Sequence, residues 1–447
     1  MTSRVQGPLF NNKKMGVAAA FLCASAMWFY VNHILVPYQR ADATAHQRPR
    51  GNLSDLYPRW HGSRELLLHH RNPYTPEVTR EIQVGYYGRE LDPSRAADPR
   101  DQQGFAYPVY VAFLLAPTLA MPFGWVAIAF KCGLVLVTVA SLLLWLRVLR
   151  WRLESAEVLL YLLLVLGSFP VVQGFKLQQL SLLVAGMIAA ACAQLVSGRH
   201  FTSGVLLALA TIKPQLVLPI VLVLLLWTTG NWRQRRRFFW GFAATIIVLL
   251  AASQAVLPGW MRDFLAASKD YRRYTGGMSM LQVLLSPDWG RVLSVISAAA
   301  VAVAAWHFRR EEAGPRSFAL LVALTLTVTV VVIPMFAPYN DVLVLPAALL
   351  IAKEWRMLWA HGTASRAGLV LAAATLAWPW LACLGLAIAS LMFSRATAQA
   401  GWWLPLYTSA RVPLPLVALV PLTFLLTFGW REKNRSPALA EPLHSGA

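Results

Sequence analysis

Residues 15–37 read MGVAAAFLCASAMWFYVNHILVP, an apolar run long enough to cross a membrane. A spanning α-helix needs about 20 such residues, because the hydrocarbon core is about 30 Å thick. The following stretch, Tyr38 to Gly104, is polar and carries nine of the twenty acidic residues in the chain. Further apolar runs of about 15–25 residues then follow one another, as spanning helices do. This order predicts a first span, a long loop outside the membrane and a bundle of further spans.

The composition is that of an all-α integral membrane protein with one polytopic domain over residues 1–447. Hydrophobic residues make up 57% of the 447 and charged residues 13%, and the mean hydropathy is +0.52. The net charge of +20 does not indicate nucleic-acid binding, because most basic residues outside the long loop stand beside apolar runs, where they orient a membrane protein. The four cysteines lie in apolar runs without disulfide or metal spacing: Cys23, Cys132, Cys192 and Cys383.

Basic residues also predict the orientation. The N-terminal tip carries Arg4, Lys13 and Lys14, and positive charge stays on the cytoplasmic side. A cleaved signal peptide is the alternative, since Ala43-Thr44-Ala45 resembles a cleavage site. The apolar run is longer than a signal peptide needs, so we interpret it as a retained anchor. Residues 38–123 then form an external loop with juxtamembrane helices, and residues 431–447 form a cytoplasmic tail.

The segment Phe105–Met121 decides the rest of the topology. If it crossed the membrane, the basic cluster Arg147–Arg152 would lie outside and each later cluster would be inverted. If it lies in or dips into the outer interface, every cytoplasmic loop gains positive charge, and we adopt this interpretation. It predicts about twelve spans with both termini inside: 15–37, 124–147, 156–172, 179–196, 201–213, 215–230, 238–257, 288–308, 318–335, 339–353, 365–390 and 412–430.

The external loop is expected to be structured. Leu56–His70 mixes apolar and basic residues, which suits a helix lying in the membrane interface. Thr75-Pro76-Glu77 is typical of a helix start, with a capping hydroxyl, Pro in the first turn and an acid near the positive end. We expect this second helix to end at Gly85. A structured loop of this length favours chemistry at the membrane surface.

Asp55 is the candidate general base. It stands just before the first loop helix, where a carboxylate can reach the aqueous face and accept a proton from an attacking hydroxyl. The alternative is that Asp55 caps the helix that contains Pro58. The two roles do not exclude each other.

Four cations are candidates for binding a phosphate at the outer face. Lys213 ends an apolar run before Pro214, and a cation at membrane depth usually has a functional partner. Lys176 lies in a neighbouring outer loop, and Arg272 and Arg273 lie in the loop 258–290. Simple snorkelling of Lys213 and ordinary solvation of the arginines are the alternatives. The outer turn Pro338-Tyr339-Asn340-Asp341 is either a polar site or the cap of the next span.

Four short motifs carry a resemblance to a known family. They are Asp55-Leu-Tyr with Asn72-Pro73-Tyr74, Phe105-Ala-Tyr107-Pro108, Gln179-Leu-Ser181-Leu-Leu, and Gly204 to Ala210-Thr-Ile-Lys213-Pro214. With the long loop and many spans, the chain resembles the GT-C class of membrane glycosyltransferases. More closely, it resembles glycosyltransferase family 87, bacterial enzymes that use polyprenyl-phosphate sugars and are related to mycobacterial mannosyltransferases. The chain has Tyr107-Pro108-Val109 where Tyr-Pro-Pro is usual, and Gln178-Gln179 where Gly-Gln is usual.

The resemblance implies transfer of a hexose such as mannose, with inversion, from a polyprenyl phosphate to a lipid or glycan hydroxyl. Asp55 would be the base, and Lys213, Lys176, Arg272 and Arg273 would bind the donor phosphate. Substrate contacts are expected from Tyr74, Tyr107, Gln178, Gln179, Tyr339, Asn340 and Asp341. No nucleotide cofactor is expected, no metal ligands are assigned and a need for a divalent metal stays open. The location implied is the bacterial inner membrane, with the active site on the extracytoplasmic face.

Two other classes remain open on the sequence alone. A multispan transporter or lipid flippase without chemistry would place its functional charges at mid-membrane, whereas here they gather at one face. A scaffold subunit would use the long loop to bind a partner protein. Neutralising the loop acid separates these classes, because only an enzyme should depend on it.

Overall fold

The computed structural model describes residues 13–51, 54–314, 316–334, 337–409 and 411–435. In these residues the chain forms helices and no strand, as the composition predicts. The first helix, α1 (Lys13–Ala45), is continuous but takes a π-helical turn at Tyr30–Leu35. The protein is therefore an all-helical chain whose elements differ mainly in length and burial.

Within the described residues, five helices are long and apolar enough to cross a membrane. They are α1 and the helices α5 (Phe123–Val148), α11 (Trp232–Val256), α14 (Pro287–Phe308) and α17 (Thr363–Met392). A sixth span is possible if α6 (Ser155–Leu166) and α7 (Phe169–Lys176), which meet at a 57° bend, are counted as one. Helical structure lies at each of the twelve predicted positions. That all twelve cross the membrane stays a prediction.

Six further helices complete the bundle in the described ranges. They are α8 (Leu180–Val196), α9 (His200–Ala210), α10 (Pro214–Thr229), α15 (Arg316–Val332), α16 (Leu345–Ala360) and α19 (Pro413–Arg435). Of 17 residues in each helix, 12 are buried in α8 and 14 in α15. A helix that is apolar on all sides is stable only when its whole circumference is covered, so these two form the centre of the bundle.

Short helices also lie in the described loops between the longer helices. The loop 38–123 holds α2 (Tyr57–His69), α3 (Pro76–Tyr87) and α4 (Val111–Leu115). Helices α12 (Trp260–Thr275) and α13 (Met280–Leu284) follow α11, and α18 (Arg395–Ala400) follows α17. A 3₁₀ segment, Pro338–Val344, packs against α7, α8 and α15.

The start of α3 agrees with the prediction, and its end does not. The Thr75 hydroxyl accepts a hydrogen bond from the Val78 amide at 3.5 Å, which caps the helix as expected. The helix runs past Gly85 to Tyr87 and ends at Gly88, whose φ is +83°. The prediction of Gly85 as the end was wrong. This glycine is needed for close packing, because a Cβ there would lie 1.7 Å from the Tyr57 hydroxyl.

The segment Phe105–Met121 forms only the five-residue α4 and a 3₁₀ turn at Ala116–Thr118. At 1.5 Å per residue, so little helix falls far short of a hydrocarbon core about 30 Å thick. Val109, Val111 and Ala112 are fully buried against the bundle. Helix α12 packs nearby, with Trp260 edge-on to Tyr110 at 6.1 Å between ring centroids.

Candidate active site

The turn between α7 and α8 builds one wall of the site. Helix α7 ends in a Schellman motif: the Gln179 amide donates to the Gly174 carbonyl at 2.9 Å and the Gln178 amide donates to the Phe175 carbonyl at 3.3 Å. This motif requires a left-handed residue, and Gln178 takes that place with φ +48°. The Leu177 carbonyl in the same turn accepts a hydrogen bond from the Asp55 amide at 2.9 Å, so the turn fixes the backbone of the candidate base.

The side chain of Gln179 joins the candidate base to the candidate phosphate cation. Its Nε2 donates a short hydrogen bond to Asp55 Oδ2, and its Oε1 accepts one from Lys213 Nζ at 2.8 Å. Lys213 Nζ also donates to Ser181 Oγ at 2.8 Å, and Ser181 Oγ donates to Asn340 Oδ1 at 2.7 Å. Residues from four distant parts of the chain thus form one hydrogen-bonded network.

Aromatic rings and a second cation surround this network. Lys213 Nζ lies 5.2 Å from the ring centroid of Tyr339 and 5.9 Å from that of Tyr107. The Arg59 guanidinium lies 4.6 Å from the Tyr107 ring centroid and donates to the Asp55 carbonyl at 2.6 Å. Tyr74 donates its hydroxyl to the Tyr107 carbonyl at 2.5 Å. Tyr107 therefore stands between two buried cations.

The charges at the site are poorly solvated. Burial raises the pKa of the Asp55 carboxyl above its usual range, while Arg59 and Lys213 oppose that shift. Lys213 is only 5% exposed, and no described carboxylate lies within ion-pair distance of its Nζ. Arg59 and Lys213 face the Asp55 carboxylate, and Asp101 adds a second negative charge that acts on Asp55 and Arg59. A buried positive charge held by neutral oxygens and rings is suited to an anionic ligand.

The helix-cap alternative for Asp55 is wrong. Helix α2 begins after Leu56, and no side chain caps it. The Asp55 carboxylate accepts from Gln179 instead, across 124 positions of sequence. Local sequence therefore suggested a helix cap, whereas tertiary packing pairs the Asp55 side chain with Gln179.

The structure brings together some of the other predicted residues and separates the rest. Lys176 donates to Gln39 Oε1 at 3.2 Å, and Arg50 donates to the same oxygen at 2.8 Å, so Lys176 belongs to a neighbouring basic group. Arg272 and Arg273 are exposed on α12, and Arg273 pairs with Asp270 at 3.1 Å. Among the contacts of the described residues, none joins Lys176, Arg272 or Arg273 to the Lys213 network.

Gln178 and Asp341 are buried without touching the network. The side-chain Nε2 of Gln178 donates to the backbone carbonyls of Phe175 and Lys176 at 3.3 and 3.2 Å. These bonds hold the turn. Asp341 is 3% exposed, and its Oδ1 has no hydrogen-bond partner among the described residues. Sequence reasoning assigned no role to Arg59 or Ser181. Arg59 lies one helical turn after Asp55, and that spacing was the available signal.

Three described side chains could offer ligands to a metal. His61, Glu65 and Glu81 place one ligand atom each within 4.8 Å of the others. Arg71 bridges the two carboxylates, at 2.8 Å from Glu65 and 2.6 Å from Glu81, and so already supplies a positive charge to both. The group is an ion-pair cluster that joins α2 to α3.

Comparison with known proteins gives the family. The model of glycosyltransferase family 87 matches residues 105–334, which is 230 of 447 residues. This match and the long apolar helices define a membrane-embedded glycosyltransferase. The chain belongs to glycosyltransferase family 87. No curated protein and no solved structure matches the chain. The matched range includes Gln179, Ser181 and Lys213, and it begins after Asp55.

The left-handed Gln178 leads to a test of the turn. A β-branched residue is a genuine outlier at positive φ, whereas glycine adopts it freely. We expect Gln178→Val to cost about 1–2 kcal/mol of stability and to lower activity, because Gln179 then loses its position. Gln178→Gly should change the stability by no more than about 1 kcal/mol and should keep the activity.

Thermal unfolding and transfer rates measured together check this expectation. Leu177→Val is the matched control, since Leu177 has φ −92°, a backbone conformation open to β-branched residues. Equal effects at the two positions would contradict the role of backbone conformation.

Proposed function

We propose that the protein transfers a hexose, such as mannose, from a polyprenyl phosphate to a hydroxyl of a lipid or glycan acceptor. The reaction takes place on the extracytoplasmic face of a bacterial inner membrane. The single observation that supports this best is the Gln179 side chain, which holds the Asp55 carboxylate and the Lys213 ammonium in one network. A base beside a cation is what a displacement with a phosphate leaving group requires.

The proposed step is a single displacement at the anomeric carbon. The acceptor oxygen forms a bond to this carbon while its proton passes to the Asp55 carboxylate. The bond from the anomeric carbon to the phosphate oxygen breaks, and its electron pair leaves with the polyprenyl phosphate. Negative charge grows on the departing phosphate, and Lys213 offsets that charge. The configuration of the sugar is inverted.

The charge balance supports a phosphodiester donor. A sugar-phosphate-lipid diester carries one negative charge, and Lys213 is a buried cation with no described carboxylate within ion-pair distance of its Nζ. The buried position of Lys213 strengthens its attraction for the phosphate, because few water molecules screen the pair. Membership of a glycosyltransferase family favours this chemistry over transport without chemistry.

The test is a transfer assay with the full-length protein in liposomes. Radiolabelled hexoses on polyprenyl phosphate are supplied together with a lipid and glycan extract of the cell envelope. We expect a labelled product and an equal release of polyprenyl phosphate. Transfer from nucleotide sugars alone, with none from lipid-linked sugars, would overturn the proposal.

The raised pKa of Asp55 predicts the pH dependence of the reaction. The usual pKa of Asp is about 3.9. Because burial raises that of Asp55, the carboxyl takes up its proton at a higher pH and then cannot act as a base. We expect kcat/KM to fall as pH decreases through this raised value. Measurement of kcat/KM from pH 4 upward gives the pH at which activity is lost, which is the acidic limb of the profile.

Arg59 provides a matched pair of variants for this measurement. The Arg59 charge lowers the pKa of Asp55, so Arg59→Met should move the acidic limb to higher pH. Arg64→Met removes a cation on the same helix that stacks on Trp60, and it should leave the limb in place. A limb that moves equally in both variants would exclude Asp55 as its origin.

A further inference from the structure

Helix α12 connects the two long apolar helices that the rest of the protein covers least. It lies between α11, which ends at Val256, and α14, which begins at Pro287. Only 11% of the apolar stretch of α11 and 17% of that of α14 is buried, the lowest shares among the five long apolar helices of the described ranges. Both therefore lie at the rim of the bundle. Only Leu257-Pro258-Gly259 separates α11 from α12, so α12 begins within about 15 Å of the end of a span.

The inward face of α12 reaches the candidate site. Asn72 Nδ2 donates to Asp263 Oδ2 at 2.8 Å near the start of the helix. Near its end, the charges of Arg59 and Asp55 act on the Tyr271 phenol. The position of α12 therefore affects the surroundings of the candidate base.

The outward face of α12 combines cations with apolar side chains. Six exposed side chains form this basic face: Met261, Arg262, Leu265, Lys269, Arg272 and Arg273. Spacings of four, seven and eleven residues place them in two adjacent rows on one side of a helix with 3.6 residues per turn. Cations beside apolar side chains are typical of a helix that lies in the headgroup region of a membrane.

The positive charge of the basic face is only partly compensated within the protein. Arg262 and Arg273 each lie near an acid of the same helix, at 3.6 and 3.1 Å, but their side chains are 91% and 68% exposed. Among the contacts of the described residues, no ion pair involves Lys269 or Arg272. Four cations and two acids give α12 a net charge of +2. The basic face therefore suits an anionic partner.

Anionic phospholipid is the partner that fits both kinds of side chain. A helix at the rim of the bundle has lipid headgroups beside it, and anionic headgroups attract each nearby Lys or Arg. Met261 and Leu265 are 43% and 59% exposed, and they can reach the boundary between headgroups and acyl chains. The predicted orientation puts α12 outside, where cations do not serve the topology. Free phosphate would satisfy the cations alone.

We propose that the basic face of α12 binds anionic phospholipid headgroups at the rim of the bundle, and that this contact holds α12 against the site. Of the described side chains of α12, only Trp260 is fully buried, so the bundle itself holds this helix weakly. A segment with few buried contacts opens easily, and an outside contact can therefore change its order. The lipid contact does not depend on the proposed function, whereas its effect on sugar transfer rests on it.

Hydrogen exchange of the full-length protein in lipid nanodiscs tests the contact. One set of discs contains phosphatidylcholine alone, and in the other a third of it is replaced by phosphatidylglycerol. The double variant Lys269→Gln, Arg272→Gln removes the two cations of the basic face that have no ion pair. The matched control is Arg236→Gln, Arg237→Gln, because both arginines are exposed at the other end of α11 and the change in charge is the same.

In the parent protein and the control, we expect phosphatidylglycerol to slow amide exchange in α12 at least about fivefold, the factor that one cation near an anionic surface contributes. High salt should remove this slowing, since exposed charges are screened. The Lys269, Arg272 variant should exchange equally fast in both discs. No slowing in the parent overturns the inference and leaves the basic face to a protein partner. Equal slowing in all three proteins also overturns it, because the charges of α12 would not be its cause.

Transfer rates in the same discs test the link to the site. We expect phosphatidylglycerol to raise the rate of the parent at least about fivefold. The Lys269, Arg272 variant should keep the parent's rate in phosphatidylcholine and gain nothing from phosphatidylglycerol. A raised donor KM of this variant in phosphatidylcholine overturns the inference, because the basic face would then bind the donor phosphate.

The lipid contact and the proposed function fail in different ways. Slower exchange of α12 without transfer from any lipid-linked sugar would leave the contact standing and contradict the proposed function. Transfer that is the same in both discs, with slower exchange of α12, would support the donor chemistry and overturn the link between the contact and the site.

Discussion

Asp55→Asn is expected to lower sugar transfer by about 10²–10⁴-fold, which is what a general base contributes. The asparagine oxygen can still accept the hydrogen bond from Gln179, so the network keeps its shape. The amide cannot take a proton from the acceptor hydroxyl. Because burial already disfavours the charged carboxylate, its removal should not destabilise the fold.

Single-turnover transfer rates and thermal unfolding on the same preparations check this result. Asp101→Asn is the matched control: burial also raises the pKa of Asp101, but its carboxylate accepts from Gln103 and lies outside the network. We expect Asp101→Asn to keep its rate within about tenfold, well short of the loss of a base. Unchanged activity in Asp55→Asn would exclude the base.

Local signals predicted the start of α3 in the loop 38–123, but not its end. Thr75-Pro76-Glu77 marks the start of α3 through its own side chains, which need no partner from elsewhere in the chain. The end of that helix was missed because two glycines compete. Gly85 packs against Tyr57, whereas Gly88 supplies the positive φ at which the helix stops. The choice between them depends on contact with α2, which periodicity does not contain.

The number of spans was harder to predict for a physical reason. Apolar periodicity does not separate a short helix buried in the bundle from one that faces lipid, and α8, α9 and α10 are short. The apolar run alone therefore locates these helices but not their relation to the membrane. Length together with hydropathy is the better criterion, and only five helices in the described ranges satisfy it without counting the bent pair.

The candidate site was predicted by residue chemistry but not as an arrangement. Asp55 and Lys213 stood out because an acid in the loop and a cation at the end of an apolar run both need explanation. Their connection through Gln179 depends on the left-handed turn at Gln178. The sequence does not signal this turn, because the left-handed residue is a glutamine and not a glycine. Arg272 and Arg273 had equally suitable chemistry, yet both are exposed on α12. Their neighbour Tyr271 is the residue of that helix on which the charges of Arg59 and Asp55 act.

Lys213→Met is expected to lower use of a polyprenyl-phosphate hexose by at least about 10²-fold, the scale at which loss of one charge-stabilising group lowers kcat. The methionine fills a similar volume but cannot offset charge on the leaving phosphate. Stability should change little, since loss of the hydrogen bond to Gln179 is offset by removal of a buried charge. Lys213→Arg should keep partial activity, because the charge remains while its shape changes to a planar fork.

The measurements are kcat, donor KM and inhibition by free polyprenyl phosphate, each at low and high salt. Loss of the Lys213 charge should weaken inhibition by the product, and added salt should have little effect because the pair is shielded from water. Lys131→Met is the matched control, since Lys131 is exposed on α5 and the chemical change is identical. If Lys213→Met stays as active as the parent, Lys213 only stabilises the turn between α7 and α8 through its hydrogen bond to Gln179. The phosphate must then bind at the basic group of Lys176 and Arg50, which lies beside Asp55 around Gln39.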